Sequence, residues 1–288
     1  MDALVTIITP YKNAELFIDE FVDSILRQTF CDWQCIMVDD GSTDLGKQLL
    51  EKRVGQDDRF ILISNTNDKV ISGPAAARNC ALELARSKYI AFCDIDDLWH
   101  PQKLEEQIMF MELNSLHISV SAYARFSHDN MPLNTQSLIC PPPYLEYSDL
   151  LKQNVIPMLT VICLRELSDL RFSQVRHEDF LLWLNLFKSK RHIRYACLPK
   201  VLAFYRVHSD NTSSNKLVVP LWTYMVFKAH GFSRWRRISS LWTWATSHLR
   251  HKTLSIFNKK VISLPSTTQL LLMPPLMVKN YPTAHGKK

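Results

Sequence analysis

Residues 89–101 read YIAFCDIDDLWHP. The stretch opens with the apolar run Tyr89-Ile90-Ala91-Phe92-Cys93. A short apolar run between polar residues predicts a strand covered on both faces. The run ends in Asp94, Asp96 and Asp97, and Pro101 then suits the first turn of a helix. Unpaired carboxylates at the end of a buried strand are costly, so a positive partner is expected there. A divalent cation carrying a phosphorylated ligand is the simplest one, because hard cations take one or two carboxylates and fill their shell with water and phosphate oxygens. The alternative is a solvated helix-capping cluster with Asp97 near an N-terminus.

Outward from this stretch the same grammar repeats. Upstream, Leu4–Thr9 reads as a first strand stopped by Pro10, with Tyr11-Lys12-Asn13 as the loop after it. Leu16, Phe17, Phe21, Ile25 and Leu26 make a helical stripe over 15–28. Gln34–Val38 is a second strand, running into the turn 39–44, DDGSTD. Phe60–Ile63 is a third, and Gly73-Pro74 opens an alanine-rich helix to Ala85 that carries Arg78. Alternating strands and helices predict an α/β fold, a mostly parallel sheet covered by helices, with ligands at the carboxyl ends of its strands. Neither GxGxxG nor GxxxxGK[ST] occurs, which excludes a dinucleotide fingerprint and a P-loop.

Downstream, a helix is expected from Pro101 to about Leu113 and a strand over 118–123, with 126–143 irregular. Tyr147–Gln153 reads as helix and Leu159–Cys163 as strand. The pair Glu178-Asp179 precedes an apolar helix, where acids commonly serve as N-caps. Short strands are expected over 195–198 and 201–206, followed by Val207-His208.

Composition bounds the rest. At 288 residues, 47% apolar and 22% charged, the chain can bury a full core. The seven cysteines are scattered without a CxxC pair, which argues for reduced thiols in a cytosolic protein. The start has no basic region ahead of an apolar one, so no secretory signal is read. No apolar run approaches the ~20 residues of a spanning helix. All 28 acidic residues precede position 211, whereas 12 of the 34 Lys and Arg follow it. So one-sided a segment reads as a surface for an anionic partner.

Six segments in order, TIITPYKN (6–13), VDDGSTD (38–44), GPAAARN (73–79), YIAFCDIDDLW (89–99), HEDFLLWL (177–184) and YRVH (205–208), resemble family 2 glycosyltransferases of the GT-A fold. The resemblance spans roughly residues 1–210. Within that family, CDIDDLWHPQKLEEQI, LTVIC and SSNK look most like enzymes that build teichuronic acid and similar surface polysaccharides. One departure is the long NTNDKVISG at 65–73, where the family often has a short Asn-x-Gly.

The resemblance implies an inverting, metal-dependent transfer from a nucleotide sugar to a glycan or lipid-linked acceptor, with UDP-sugars the expected donors. Asp96 and Asp97 would hold Mn²⁺ or Mg²⁺ against the diphosphate, with His208 as a further ligand. Asp94 would orient the ribose or a ligand water. Asp40 would meet the base edge, and Thr9, Pro10 and Tyr11 would line that pocket. Arg78 would contact the nucleotide, and Arg206 would lie over the pyrophosphate. Asp179 would act as general base, with Glu178 beside it as a like charge. For His208 a surface loop histidine is the alternative. A sugar nucleotidyltransferase and a non-catalytic nucleotide-binding module remain as competing readings, and nucleic acid is not an expected partner.

Residues 211–260 then form a basic, Trp-rich helical appendage, and 261–288 an extended or disordered tail. Helices are expected over 217–229 and 233–252 around Gly231. Tryptophan with arginine on 233–252 suits an anionic membrane surface, and a helix packed with its tryptophans in the core is the alternative. The expected location is cytoplasmic, peripheral at the inner face of the plasma membrane.

Overall fold

The computed structural model describes residues 2–65, 72–127, 138–167, 171–189, 192–207 and 218–257, with the side chains of 247–257 outside the description. The amino-terminal half is β1 (Val5–Tyr11), α1 (Ile18–Leu26), β2 (Trp33–Asp39), α2 (Gly46–Val54), β3 (Phe60–Ser64), α3 (Pro74–Leu84) and β4 (Tyr89–Phe92). The remainder is β5 (Leu98–Trp99), α4 (Lys103–Leu113), β6 (Ile118–Ser127), β7 (Leu138–Ile139), α5 (Tyr147–Leu150), β8 (Ile162–Leu164), α6 (Glu178–Ser189), β9 (Tyr195–Val207), α7 (Val219–Ala229) and α8 (Arg234–Phe257).

Among the described residues the sheet runs β3-β2-β1-β4-β8-β6-β9-β5, with β7 beside β6. Strands β1 to β4 are parallel, β8 is antiparallel to both its neighbours, and β5 is antiparallel to β9. The sheet is therefore mixed, and parallel in the half that carries the first three loops. Alternation along the strands divides two cores. Ile7, Cys35, Met37 and Ala91 face α1, α2 and α4. Ile8, Ile36, Val38, Ile90 and Phe92 face α3, α6 and α7. Both faces are covered, which is why these strands read as unbroken apolar runs rather than alternating ones.

Pro10 does not stop the first strand. It pairs in register with Val38, and β1 continues to Tyr11. Even-numbered residues there face β4, where Cys93 donates to the Ile8 carbonyl and pairing ends at Ile8–Phe92. The N–H that proline lacks is one the ladder does not use.

The two strands expected over 195–206 are one strand, β9. Its register on β6 shifts at Ser121/Ala122 and again at Ala122/Tyr123. The exposed Pro199 and Lys200 lie on β9 at this irregularity, a bulge that lets Pro199 sit without a ladder donor. Strands β5 and β7 are two residues each, below the length at which period shows in sequence.

Val226, Phe227 and Phe232 are 0%, 0% and 6% exposed and belong to the core shared with α6, so α7 is seated on the sheet-bearing body. Burying a phenylalanine of this kind contributes about 2 kcal/mol. Among the described residues all seven cysteines are free.

Candidate active site

The loops after β1, β2 and β4 lie side by side because those strands are adjacent and parallel. Asn13 joins the first two. Its side-chain oxygen accepts from the Thr43 N–H at 2.8 Å, and its own N–H donates to Ser42 Oγ at 3.0 Å. Asn13 sits at φ 51°, a conformation that Asn tolerates better than most side chains. Asp40, 8% exposed, accepts from Asn65 Nδ2 at 2.9 Å and from the Gly73 N–H at 2.6 Å. It thus closes both ends of the long 65–73 segment, residues 66–71 of which lie outside the described residues. Gly73 needs its φ of 109° to turn that N–H toward Asp40 and still open α3 with Pro74.

The acidic loop spans the gap between β4 and β5. Asp97 is only 2% exposed, so the solvated-cap alternative fails for it. Its Oδ1 accepts the Arg206 backbone N–H at 3.0 Å, and Arg206 Nε donates to the Asp96 carbonyl at 2.8 Å. Arg206 is itself 2% exposed, lies over the rings of Phe126 (4.6 Å) and Phe17 (5.3 Å), and reaches Glu20. It thus lies beneath the acidic loop, holding the Asp97 side chain through its backbone N–H and the Asp96 carbonyl through its guanidinium. Burial first, and then the charges of Asp96 and Asp94, push the Asp97 carboxyl well above the usual carboxylate range, and Arg206 opposes them.

That surplus of negative charge is what a divalent cation would neutralise. The donors are carboxylate oxygens, which suits Mn²⁺ or Mg²⁺. Among the described residues no group of three or more His, Cys, Asp or Glu surrounds one point. Asp96 and Asp97 would therefore supply two ligands, with phosphate oxygens and water completing the shell. His208 lies outside the described residues.

A second acidic group meets the first through Arg78. This side chain, 5% exposed, sits at 2.7 Å from both Asp94 Oδ1 and Glu178 Oε1. Burial alone would lower its pKa, but Asp94 and Glu178 outweigh that and raise it, so it stays charged. Arg78 of α3 thus ties the end of β4 to the start of α6. Glu178 is thus ion-paired to Arg78. The backbone before it is strained, with His177 at φ 60°. Its imidazole lies 5.3 Å from the Trp222 ring of α7.

Asp179 stands half-buried in the first turn of α6, and its Oδ2 accepts from Asn154 Nδ2 at 2.8 Å. The Asn154 Oδ1 accepts the Ile156 N–H at 3.4 Å, a bond that fixes which way round the amide lies. Asn154 was missed in the sequence, where it falls in an unremarkable loop after a short helix. No local pattern announces a residue whose partner is 25 positions away.

The Thr9 side chain is fully buried, with its hydroxyl 3.8 Å from Cys35 Sγ in the core, which leaves its backbone to line a pocket. Tyr11, 4% exposed, and Pro10, also buried, can shape the floor beside Asp40 without offering much surface. Burial, followed by Asp39, Glu51 and Asp44, raises the Tyr11 phenol, which stays protonated.

Comparison with known proteins places this arrangement. The family model for Glycosyl transferase family 2 matches residues 6–167. TuaG of Bacillus subtilis (strain 168), named for teichuronic acid biosynthesis, is 37% identical over 227 residues, 78% of this chain and 87% of that protein. WfaP of Escherichia coli, named a UDP-Glc:alpha-D-GlcNAc-diphosphoundecaprenol beta-1,3-glucosyltransferase, is 34% identical over 258 residues, 89% and 98% of the two chains. Among solved structures, residues 1–349 of S. aureus TarS with UDP-GlcNAc superpose with a TM-score of 0.65 at 19% identity, over 93% of this chain and 78% of that one. The mannosyltransferase PcManGT of Pyrobaculum calidifontis, with GDP-Man and Mn²⁺, superposes with a TM-score of 0.61 at 17% identity, over 94% and 79%. These likenesses establish the GT-A fold.

Proposed function

This chain belongs to glycosyl transferase family 2, and from that premise we propose that it transfers a sugar, with inversion, from a UDP-sugar to a hydroxyl of a lipid-linked glycan during assembly of a surface polysaccharide. The observation that carries the reading is the Asp94–Arg78–Glu178 bridge. It brings a buried acidic strand end and the first turn of α6 to one site. The names of WfaP and TuaG support the donor, acceptor and pathway class.

The chain's residues divide the work. Asp40 offers a carboxylate at the carboxyl end of β2, where a base edge can donate to lone pairs that Asn65 and Gly73 leave open. Asp96 and Asp97 would hold a Mn²⁺ or Mg²⁺ ion, which would supply Lewis-acid neutralisation of the leaving diphosphate. Asp179 takes the proton of the acceptor hydroxyl at Oδ1, since Asn154 occupies Oδ2. Attack by one base-activated hydroxyl on the face opposite the leaving group inverts the anomeric carbon. Nucleotide sugars and free thiols both suit the cytoplasm, and a lipid carrier sets the reaction at a membrane surface.

The test is turnover of a panel of UDP-, GDP- and dTDP-sugars with Mn²⁺, following the released nucleotide. Release of UDP that depends on metal and on Asp97 is expected, and Asp97→Ala abolishes it. Full activity in excess EDTA overturns the metal role. Formation of UTP and a sugar 1-phosphate when pyrophosphate is added to a UDP-sugar, with no UDP released, identifies a nucleotidyltransferase.

A further inference from the structure

Helix α8 has two faces. Arg237 lies over the Tyr224 ring of α7 at 5.1 Å, and Trp244 is buried at 8% exposure. These residues seat the helix on α7. Trp235, Ile238 and Trp242 are 82%, 48% and 73% exposed. Spacings of three and four residues put those three side chains on one outer stripe. Arg234, exposed, flanks its start, while the guanidinium of Arg236 lies 4.2 Å over the ring of the buried Phe232 on the body side. Tryptophan was open between two placements from sequence, and the structure sends Trp244 inward and Trp235 and Trp242 outward.

We propose that this outer stripe of α8 docks on an anionic lipid bilayer, the tryptophans entering the headgroup region and Arg234 meeting lipid phosphates. Two exposed indoles and an isoleucine in line leave apolar area in water that a soluble surface has no reason to display. Tryptophan with arginine at a helix surface matches the chemistry of a membrane interface, apolar below and anionic at its rim. A polynucleotide would use Arg234 and leave the apolar stripe uncovered. A second copy pairing α8 with α8 would set the Arg234 side chains of both against each other, with no acidic residue after position 210 to meet them. No described helix is long and apolar enough to cross a membrane, so the contact is made from one side. The proposal gives the lipid-linked acceptor reading its surface and rests on that reading for its purpose. Binding itself is read without turnover.

The full chain is sedimented with phosphatidylcholine vesicles with and without phosphatidylglycerol, at low and high salt. Binding to the anionic vesicles alone, released by salt, with a blue shift of tryptophan emission, is expected. Arg234→Gln weakens partitioning roughly fivefold, the effect of one charge near the surface. Trp235→Ala with Trp242→Ala abolishes the blue shift and weakens binding, while UDP release is unchanged in both variants. Equal binding to neutral and anionic vesicles, or to neither, overturns the proposal. So does full binding by both variants, binding to a polynucleotide with vesicles ignored, or self-association that the tryptophan variant removes. Loss of UDP release with vesicle binding intact counts against the transferase reading and leaves the docking face standing.

Discussion

Acidification tests how firmly α7 and α8 are held to the body, and His230 is the group that reads it. The imidazole is 5% exposed, at the end of α7. Its Nδ1 lies 2.6 Å from Asn185 Oδ1 on α6, and its Nε2 lies 2.7 Å from the Tyr147 hydroxyl on α5. A neutral ring satisfies both, donating to Asn185 and accepting from Tyr147. Burial, then the charges of Lys188 and Arg236, lowers its pKa from 6.5 to about 4. The sign follows from proton counting. Above 6.5 both folded and unfolded rings are neutral and the group contributes nothing. Between 6.5 and about 4 the unfolded ring takes a proton that the folded ring refuses, so stability falls as pH falls, and it levels off below about 4. Over that window the loss approaches ~1.4 kcal/mol per pH unit, giving about 2 kcal/mol between about pH 7.5 and about pH 5. The assay is denaturant unfolding at a series of pH values, for the wild type and for His230→Gln. Glutamine cannot titrate, so the difference between the two isolates His230 from the carboxylates that titrate in both. That difference should shrink by about 2 kcal/mol across the window. If it stays constant within about 0.5 kcal/mol, the ring is not held neutral in the fold and the reasoning fails.

Three further outcomes are expected. Asp179→Asn should cut turnover by at least roughly 10²-fold with donor affinity nearly unchanged, measured as kcat against donor Kd, and loss of donor binding with turnover per bound donor intact would make Asp179 a ligand contact. Asn154→Ala removes the donor that orients the Asp179 carboxylate, so kcat should fall with donor Kd unchanged while Asn154→Asp fails to restore it, and equal losses in kcat and donor binding would leave Asn154 structural. Lys103 is fully buried against Gln107, the Thr160 carbonyl at 3.1 Å and the Trp99 ring, and burial lowers its pKa from 10.5 to about 7. The unfolded chain holds that proton up to 10.5, so wild-type stability should rise with pH from about 7 to about 9, and Lys103→Met should flatten the rise.

The sequence by itself determined the strands β1 to β4, the helices between them and the chemistry at their ends. β1, β2 and β4 are buried on both faces, and a doubly buried strand is mostly apolar, so its ends stand out wherever polar residues begin. The acidic loop at 94–97 and the turn at 39–44 were visible for that reason, as was the one-sided charge after position 210. Tertiary structure decided what depends on partners distant in the chain. Arg206 is 109 residues from the carboxylate its N–H bonds, and Arg78 is 100 from Glu178, so neither spacing nor period could show that one supports a loop and the other joins two acidic groups. The same holds for Asn154 on Asp179 and for Thr9, whose apolar strand neighbours hid that its hydroxyl faces the core. In α8 the sequence supplied the tryptophans and the arginines, but a helix with tryptophan on two sides can seat either one. Only the packing of Arg237 on Tyr224 and the burial of Trp244 chose which face meets solvent.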